Sequence, residues 1–183
     1  AAIDYLRKKG AKIAANRSDR EANEGVVIAL TSEDGKFGCA VNLSSETDFV
    51  ARNEGFRTFV QDIALHIAAS APLAVGPDEI PAAVIEKEKE IMRAKNIEQG
   101  KKPEMLDKIV EGQIKKFIAE NCLLEQAFVK NPDIKINEYL KETIAKIGEN
   151  IVIRRFVRYE LGEGIEKKSN DFAAEVAAQM KGH

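Results

Sequence analysis

Groups able to do covalent chemistry are few in this sequence. The two histidines are His66, inside ALHIAA, and His183, the last residue. His66 lies in an apolar run and reads as a packed helix residue rather than a proton shuttle. Cys39 and Cys122 sit far apart, without CxxC spacing and without a neighbouring base to activate a thiol, so both read as reduced core residues. No Walker loop, GxGxxG turn or HExxH helix occurs. Glu86, Glu88 and Glu90 alternate with lysines, as on a solvated helix face. Arg154, Arg155 and Arg158 could touch phosphates, but on one strand they point to both faces, which favours surface ion pairing. No catalytic constellation emerges, and neither cofactor nor metal is expected.

One stretch stands apart: SSETDFVARNEGF, Ser44 to Phe56. An acid and a bulky aromatic, Asp48 and Phe49, sit side by side where a helix begins. Thr47 can cap that helix by accepting a first-turn N–H. Asp48 then falls where the helix dipole favours negative charge. Taken alone, Phe49 reads as a core residue, and it is its neighbours that shift the reading. On a capped first turn, an acid and an aromatic presented outward form a rigid probe for an apolar crevice of another protein.

The elements that must hold this probe follow from periodicity. A helix is expected over Ala2 to Ala15, then a polar link, NRSDREANEG. GVVIALT and KFGCAVNLS form a hairpin across SEDG, because glycine supplies the positive φ that a tight turn needs. Phe37, Cys39, Val41 and Leu43 alternate along its second strand. From Thr47 the period becomes helical, through Phe49, Phe56, Phe59, Val60, Ile63 and Ile67, with a possible break at Asn53-Glu54-Gly55. Val84, Ile91 and Ala94 mark one further helix; Met105, Leu106, Ile109, Val110, Ile114, Phe117 and Ile118 mark the next. Gly100 and Pro103 separate the two, which should pack as an antiparallel, coiled-coil-like hairpin.

After FVKNPD, a helix bearing Ile136, Leu140, Ile144 and Ile147 ends at Gly148. NIVIRRFVRYELG reads as a third strand with Ile151, Ile153, Val157, Tyr159 and Leu161 on one face. SNDFAAEVAAQMK closes the chain as a short helix, its NDFAA loosely echoing TDFVA. Strands and helices that do not alternate as βαβ indicate an α+β fold, here a three-stranded antiparallel sheet packed with helices. The 183 residues, 44% hydrophobic and 32% charged, can bury a core. With 28 basic and 30 acidic residues, the net charge of −2 argues against a broad nucleic-acid footprint. No apolar run is long enough to span a membrane.

SSETDFVARNEGF closely resembles the signature of the elongation factor Ts family, the guanine-nucleotide exchange factors of elongation factor Tu. KIGENIVIRRF, Lys146 to Phe156, is similar to its second signature, and GEGIEKKSNDFAAEVAAQ, Gly162 to Gln179, to its C-terminal module. The resemblance implies four parts. Residues 1–22 would be the final helix and linker of an N-terminal helical domain that is mostly absent. Residues 23–77 with 125–163 would form the core dimerisation-type domain, 78–124 the coiled-coil hairpin, and 164–183 the C-terminal module. It resembles the family's short form, which pairs as a homodimer.

The resemblance also implies roles. Phe49 would insert between helices of the partner's G domain. Asp48 would disturb the neighbourhood of its Mg²⁺ site, while Thr47 and Val50 hold the turn. Ile147 and Gly148 would contact another domain of elongation factor Tu, and Asp171 and Phe172 the G domain again. The expected setting is the bacterial cytoplasm, or an organellar matrix or stroma. Direct nucleic-acid binding is not expected. A rival of another class, an RNA-associated dimer using the hairpin and the Arg154 to Arg158 strand, would show affinity falling steeply with salt.

Overall fold

The computed structural model describes residues 2–165. Three strands form the central antiparallel sheet: β1 (Glu24–Thr31), β2 (Phe37–Ser45) and β5 (Ile151–Glu160), with β2 in the middle. The β1–β2 turn is the expected one. Gly35 takes φ +67°, and the Ser32 hydroxyl and Lys36 N–H both donate to the Asp34 carboxylate. Gly25 is demanded by proximity: a Cβ there would lie 2.1 Å from the Leu43 carbonyl oxygen.

The inner face of β2 carries Cys39, Val41 and Leu43, all buried, opposite Leu30, Ile28 and Val26 of β1. On this face lie Phe56, Phe59, Val60, Ile63 and Ile67 of helix α3 (Glu54–Ser70), each at most 1% exposed. Helix α1 (Ala2–Ala15) packs on α6 (Ile136–Ile147), where Gly10 comes close to the Ala145 methyl. The α+β reading and the three-stranded sheet stand as expected.

The third strand departs from its simple alternation. Leu43 pairs with Ile153 but Asn42 pairs with Arg155, so Arg154 is the extra residue of a β-bulge. A one-residue slip exchanges the two faces beyond it. Phe156 therefore turns toward the core, while Val157, Tyr159 and Leu161, expected beside Ile151 and Ile153, are exposed. The expected ion pairing is seen at Arg158, which meets Glu160 and Glu163 and stacks its guanidinium 5.0 Å over the Phe37 ring. Arg154 instead donates to the Ala22 carbonyl at 2.7 Å and the Ser44 hydroxyl at 3.2 Å, stitching β5 to the linker before β1.

Helices α4 (Ala82–Glu98) and α5 (Pro103–Asn121) form the helical hairpin. Ile91 and Ala94 do not face its seam; both are exposed, Ile91 by 50%. The shielded positions of α4 include Ile85, Lys89, Met92 and Asn96, a heptad-like spacing, with Val110 and Ile114 buried on α5. Asn96 is 3% exposed and its amide donates to Gln113 Oε1 and the Met92 carbonyl, both at 2.7 Å. FVKNPD, to which the sequence assigned no element, contributes to a second small sheet, β3 (Ala127–Phe128) with β4 (Asn131–Lys135).

Candidate functional site

The acid–aromatic stretch folds as helix α2 (Asp48–Arg52), a single turn and a half. Five residues cannot sustain a helix by propagation, so what fixes α2 is its surroundings. Thr47 is extended at φ −127° and ψ 158°, and the Val50 N–H donates to its hydroxyl at 3.4 Å. Asn53 closes α2 and opens α3 at once. Its N–H donates to the Val50 carbonyl, while its side-chain oxygen accepts from the N–H groups of Gly55 and Phe56. Ala51 is buried and Val50 half-buried against the core. That orientation leaves Phe49 outside, 80% exposed. Asp48 faces solvent too, meeting Arg52 one turn on at 3.0 Å, an exposed pair worth well under about 1 kcal/mol.

Ile147 and Gly148 come from α6. Gly148 takes φ +86°, a conformation costing other residues roughly 1–2 kcal/mol, and its N–H closes the helix on the Ile144 carbonyl. An open cleft of about 720 Å³ separates α2 and α3 from α6; Val50, Asn53, Thr58, Thr143 and Ile147 line it. The two stretches singled out in the sequence thus border one surface. Asp171 and Phe172, and the C-terminal helix that would carry them, lie outside the described residues.

At the cleft, partly buried polar contacts converge on Asp62 of α3 from Tyr139 of α6 and from Lys130. The Tyr139 hydroxyl donates to Asp62 Oδ2 at 2.8 Å, and Lys130 Nζ donates to Oδ1 at 2.6 Å. Burial, with the Asp62 carboxylate beside it, pushes the Tyr139 phenol well above its ordinary range, so it stays a donor. Its ring stacks on Phe128 and meets Phe59 edge-on, at centroid separations of 4.8 and 4.9 Å. His66 is fully buried, as expected, between Gln126 Oε1 and the Val129 N–H, and burial pushes its pKa down. The buried thiols of Cys39 and Cys122 are free, and burial pushes both pKa values up.

Three residues at this corner were not foreseen. The Glu149 carboxylate accepts from the Thr47 hydroxyl at 2.7 Å and from the Thr47 N–H at 3.0 Å. Glu46 accepts from the Asn150 N–H at 2.6 Å, which, with Arg20 and Arg17 beside it, holds its carboxyl below the usual range. The Asn150 amide in turn donates to the Arg20 carbonyl at 2.8 Å. The sequence signal was a carboxylate directly after a helix-ending glycine, but the partners are more than a hundred residues away.

Among the described residues no group of three histidines, cysteines or carboxylates converges as a metal site. What this corner offers is contact: a fixed acid and a solvent-facing aromatic on a braced turn. The fold is that of an α+β protein, with an aromatic side chain held open to solvent at this corner. Comparison narrows the class. A family model described as Elongation factor TS matches residues 57–163. Elongation factor Ts of Geobacter metallireducens is 58% identical over 177 residues, covering 97% of this chain and 82% of the relative. That of Geotalea daltonii is 56% identical over the same coverage, and that of Acetivibrio thermocellus 54% over 181 residues, 99% of this chain and 84% of the relative. The chain belongs to the elongation factor Ts family, and with it to the elongation factors of protein synthesis.

Proposed function

We propose that this protein is a guanine-nucleotide exchange factor that binds GDP-bound elongation factor Tu, destabilises its Mg²⁺–GDP site and so promotes GDP release. The observation that carries the reading is Phe49: 80% exposed on a turn whose other apolar residues face inward. An aromatic left in water on a braced element is an anchor awaiting a pocket. Phe49 wedges between helices of the partner's G domain, and Asp48 reaches toward the Mg²⁺ neighbourhood. Thr47 and Val50 hold the turn. Ile147 and Gly148 meet a second domain of the partner, and Asp171 and Phe172 the G domain.

No covalent step belongs to this protein itself in that scheme. It works by binding the nucleotide-free partner better than the GDP form, which by linkage weakens nucleotide binding equally. A 10⁴-fold effect needs about 5.5 kcal/mol of differential binding. Catalysed release of labelled GDP from elongation factor Tu tests the reading. Phe49→Ala should slow it at least about tenfold, some 1.4 kcal/mol, with the melting temperature nearly unchanged. A large drop in melting temperature with normal exchange per folded molecule would return Phe49 to a structural role.

The outer sheet face supports a second element of the proposal, a homodimer. Val27 of β1 and Tyr159 of β5 are 69% and 70% exposed there, with Val157 of β5 also open to solvent. A second copy covering that face would bury them. Light scattering should report about twice the 20.2 kDa chain mass, and a clean monomer at micromolar concentration would defeat this part.

A further inference from the structure

Two segments far apart in sequence grip each other beside α2, and the grip is crossed. Glu149, just past α6, takes the N–H and O–H of Thr47; Glu46, just before Thr47, takes the N–H of Asn150. Both acceptors are carboxylates, so all three bonds are charge-assisted and about twice as strong as neutral ones. The Thr47 hydroxyl donates to Glu149 while it accepts from the Val50 N–H, so Glu149 dictates which way the cap's lone pairs point. Ser45 adds a bond from its hydroxyl to the Thr47 carbonyl at 2.9 Å. Every polar group of Thr47 is therefore spoken for, and its strongest partner comes from another element.

From this geometry we infer that Glu149 is a positioning residue for exchange, aiming the Asp48–Phe49 turn and locking it to the Ile147–Gly148 end of α6. The inference rests on the wedge reading above. A helix as short as α2 has no rigidity of its own, and a ring on its first turn swings with the cap. Glu149 follows Gly148 directly, so the α6 terminus and the wedge turn move as one body. A partner domain that engages Ile147 and Gly148 thereby meets Phe49 at a fixed distance and angle.

Titrating wild type, Glu149→Ala, Phe49→Ala and the double variant against elongation factor Tu loaded with labelled GDP tests this. Glu149→Ala should lower the maximal release rate about tenfold while half-saturation changes less. In the Phe49→Ala background the same substitution should cost almost nothing further, because no ring remains to aim. Multiplying losses would show that Glu149 acts independently of Phe49 and would overturn the inference. So would an unchanged maximal rate, whatever the melting temperature does. Phe49→Ala without effect would sink the wedge reading and this one with it, whereas a deficit in Phe49→Ala alone would sink only the role of Glu149.

Should Glu149→Ala fail to fold, Glu149→Gln keeps one acceptor and is read in the same assay. The chain has no tryptophan, so Phe49→Trp supplies a single reporter. Its fluorescence anisotropy should fall when Glu149→Gln is added. Unchanged anisotropy and an unchanged maximal rate in the Gln variant would overturn the proposal.

Discussion

The corner around α2 and the α4–α5 hairpin solve opposite problems. The corner stands on the main core, with Phe56, Phe59 and Ile63 of α3 almost wholly buried below it, and is pinned by carboxylates that bond reciprocally across two distant segments. The hairpin buries only Val110 and Ile114 fully among its apolar side chains and places a polar pair, Asn96 with Gln113, in its seam. Much of the rest of its surface is made of exposed ion pairs such as Lys115–Glu111 and Arg93–Asp107, which contribute little. An element that must hold one ring in water needs tertiary ground under it. An element that only has to extend can rely on local packing.

Three experiments would break or sharpen that contrast. The largest effect belongs to Phe56→Ala, which removes a fully buried ring beneath the corner and should cost about 3–5 kcal/mol in chemical denaturation. Phe49→Ala, seven residues earlier, should barely register in the same measurement. If the two were equally destabilising, the corner would be part of the core and not a platform on it.

Next comes the hairpin seam. Asn96→Ala strands the Gln113 carbonyl in a shielded position, at a cost of about 1–3 kcal/mol. Hydrogen exchange should quicken in α4 and α5 while amides of α3 and the sheet keep their protection. Uniform loss of protection would show that hairpin and core unfold together.

The smallest effect at neutral pH sits at the joint between the regions. Gln126 receives His66 on one side and donates to the Glu120 carbonyl, near the end of α5, at 2.8 Å on the other. The folded-state pKa of His66 lies below its ordinary 6.5. Between those two values the unfolded chain binds more protons, so stability should fall as pH drops below about 6.5. The slope should flatten in His66→Gln, as read by thermal melts above the carboxylate range. A slope that persists unchanged would place the acid sensitivity elsewhere.

Much of this was legible in the residues, and the exceptions share a cause. Helical and strand periods located the elements, and Thr47, Asp48 and Gly148 carry local signals for caps and helix ends. The bulge at Arg154 was not legible, because IVIRRFVRY alternates acceptably in either register and only pairing with β2 selects the slip. The apolar residues that marked α4, Val84, Ile91 and Ala94, located the helix but not its seam, because lysine stems and an asparagine line much of it. The Glu149–Thr47 contact is long-range, and a single sequence holds no trace of which distant carboxylate a capping threonine meets.

The base of the hairpin has a consequence for how such a protein can vary. Leu73 N–H donates to the Asn121 carbonyl, and the N–H groups of Leu123 and Leu124 donate to the carbonyls of Ala74 and Val75. Entering and leaving strands of chain are thus fastened side by side before the helices begin. Seen from the core, everything beyond that fastening is one closed loop, and doubling a loop's length costs only about 0.6 kcal/mol of closure entropy. Arm length is therefore a nearly neutral dimension for evolution or for design. Helical turns can be added or removed in register there without renegotiating the architecture that holds Phe49.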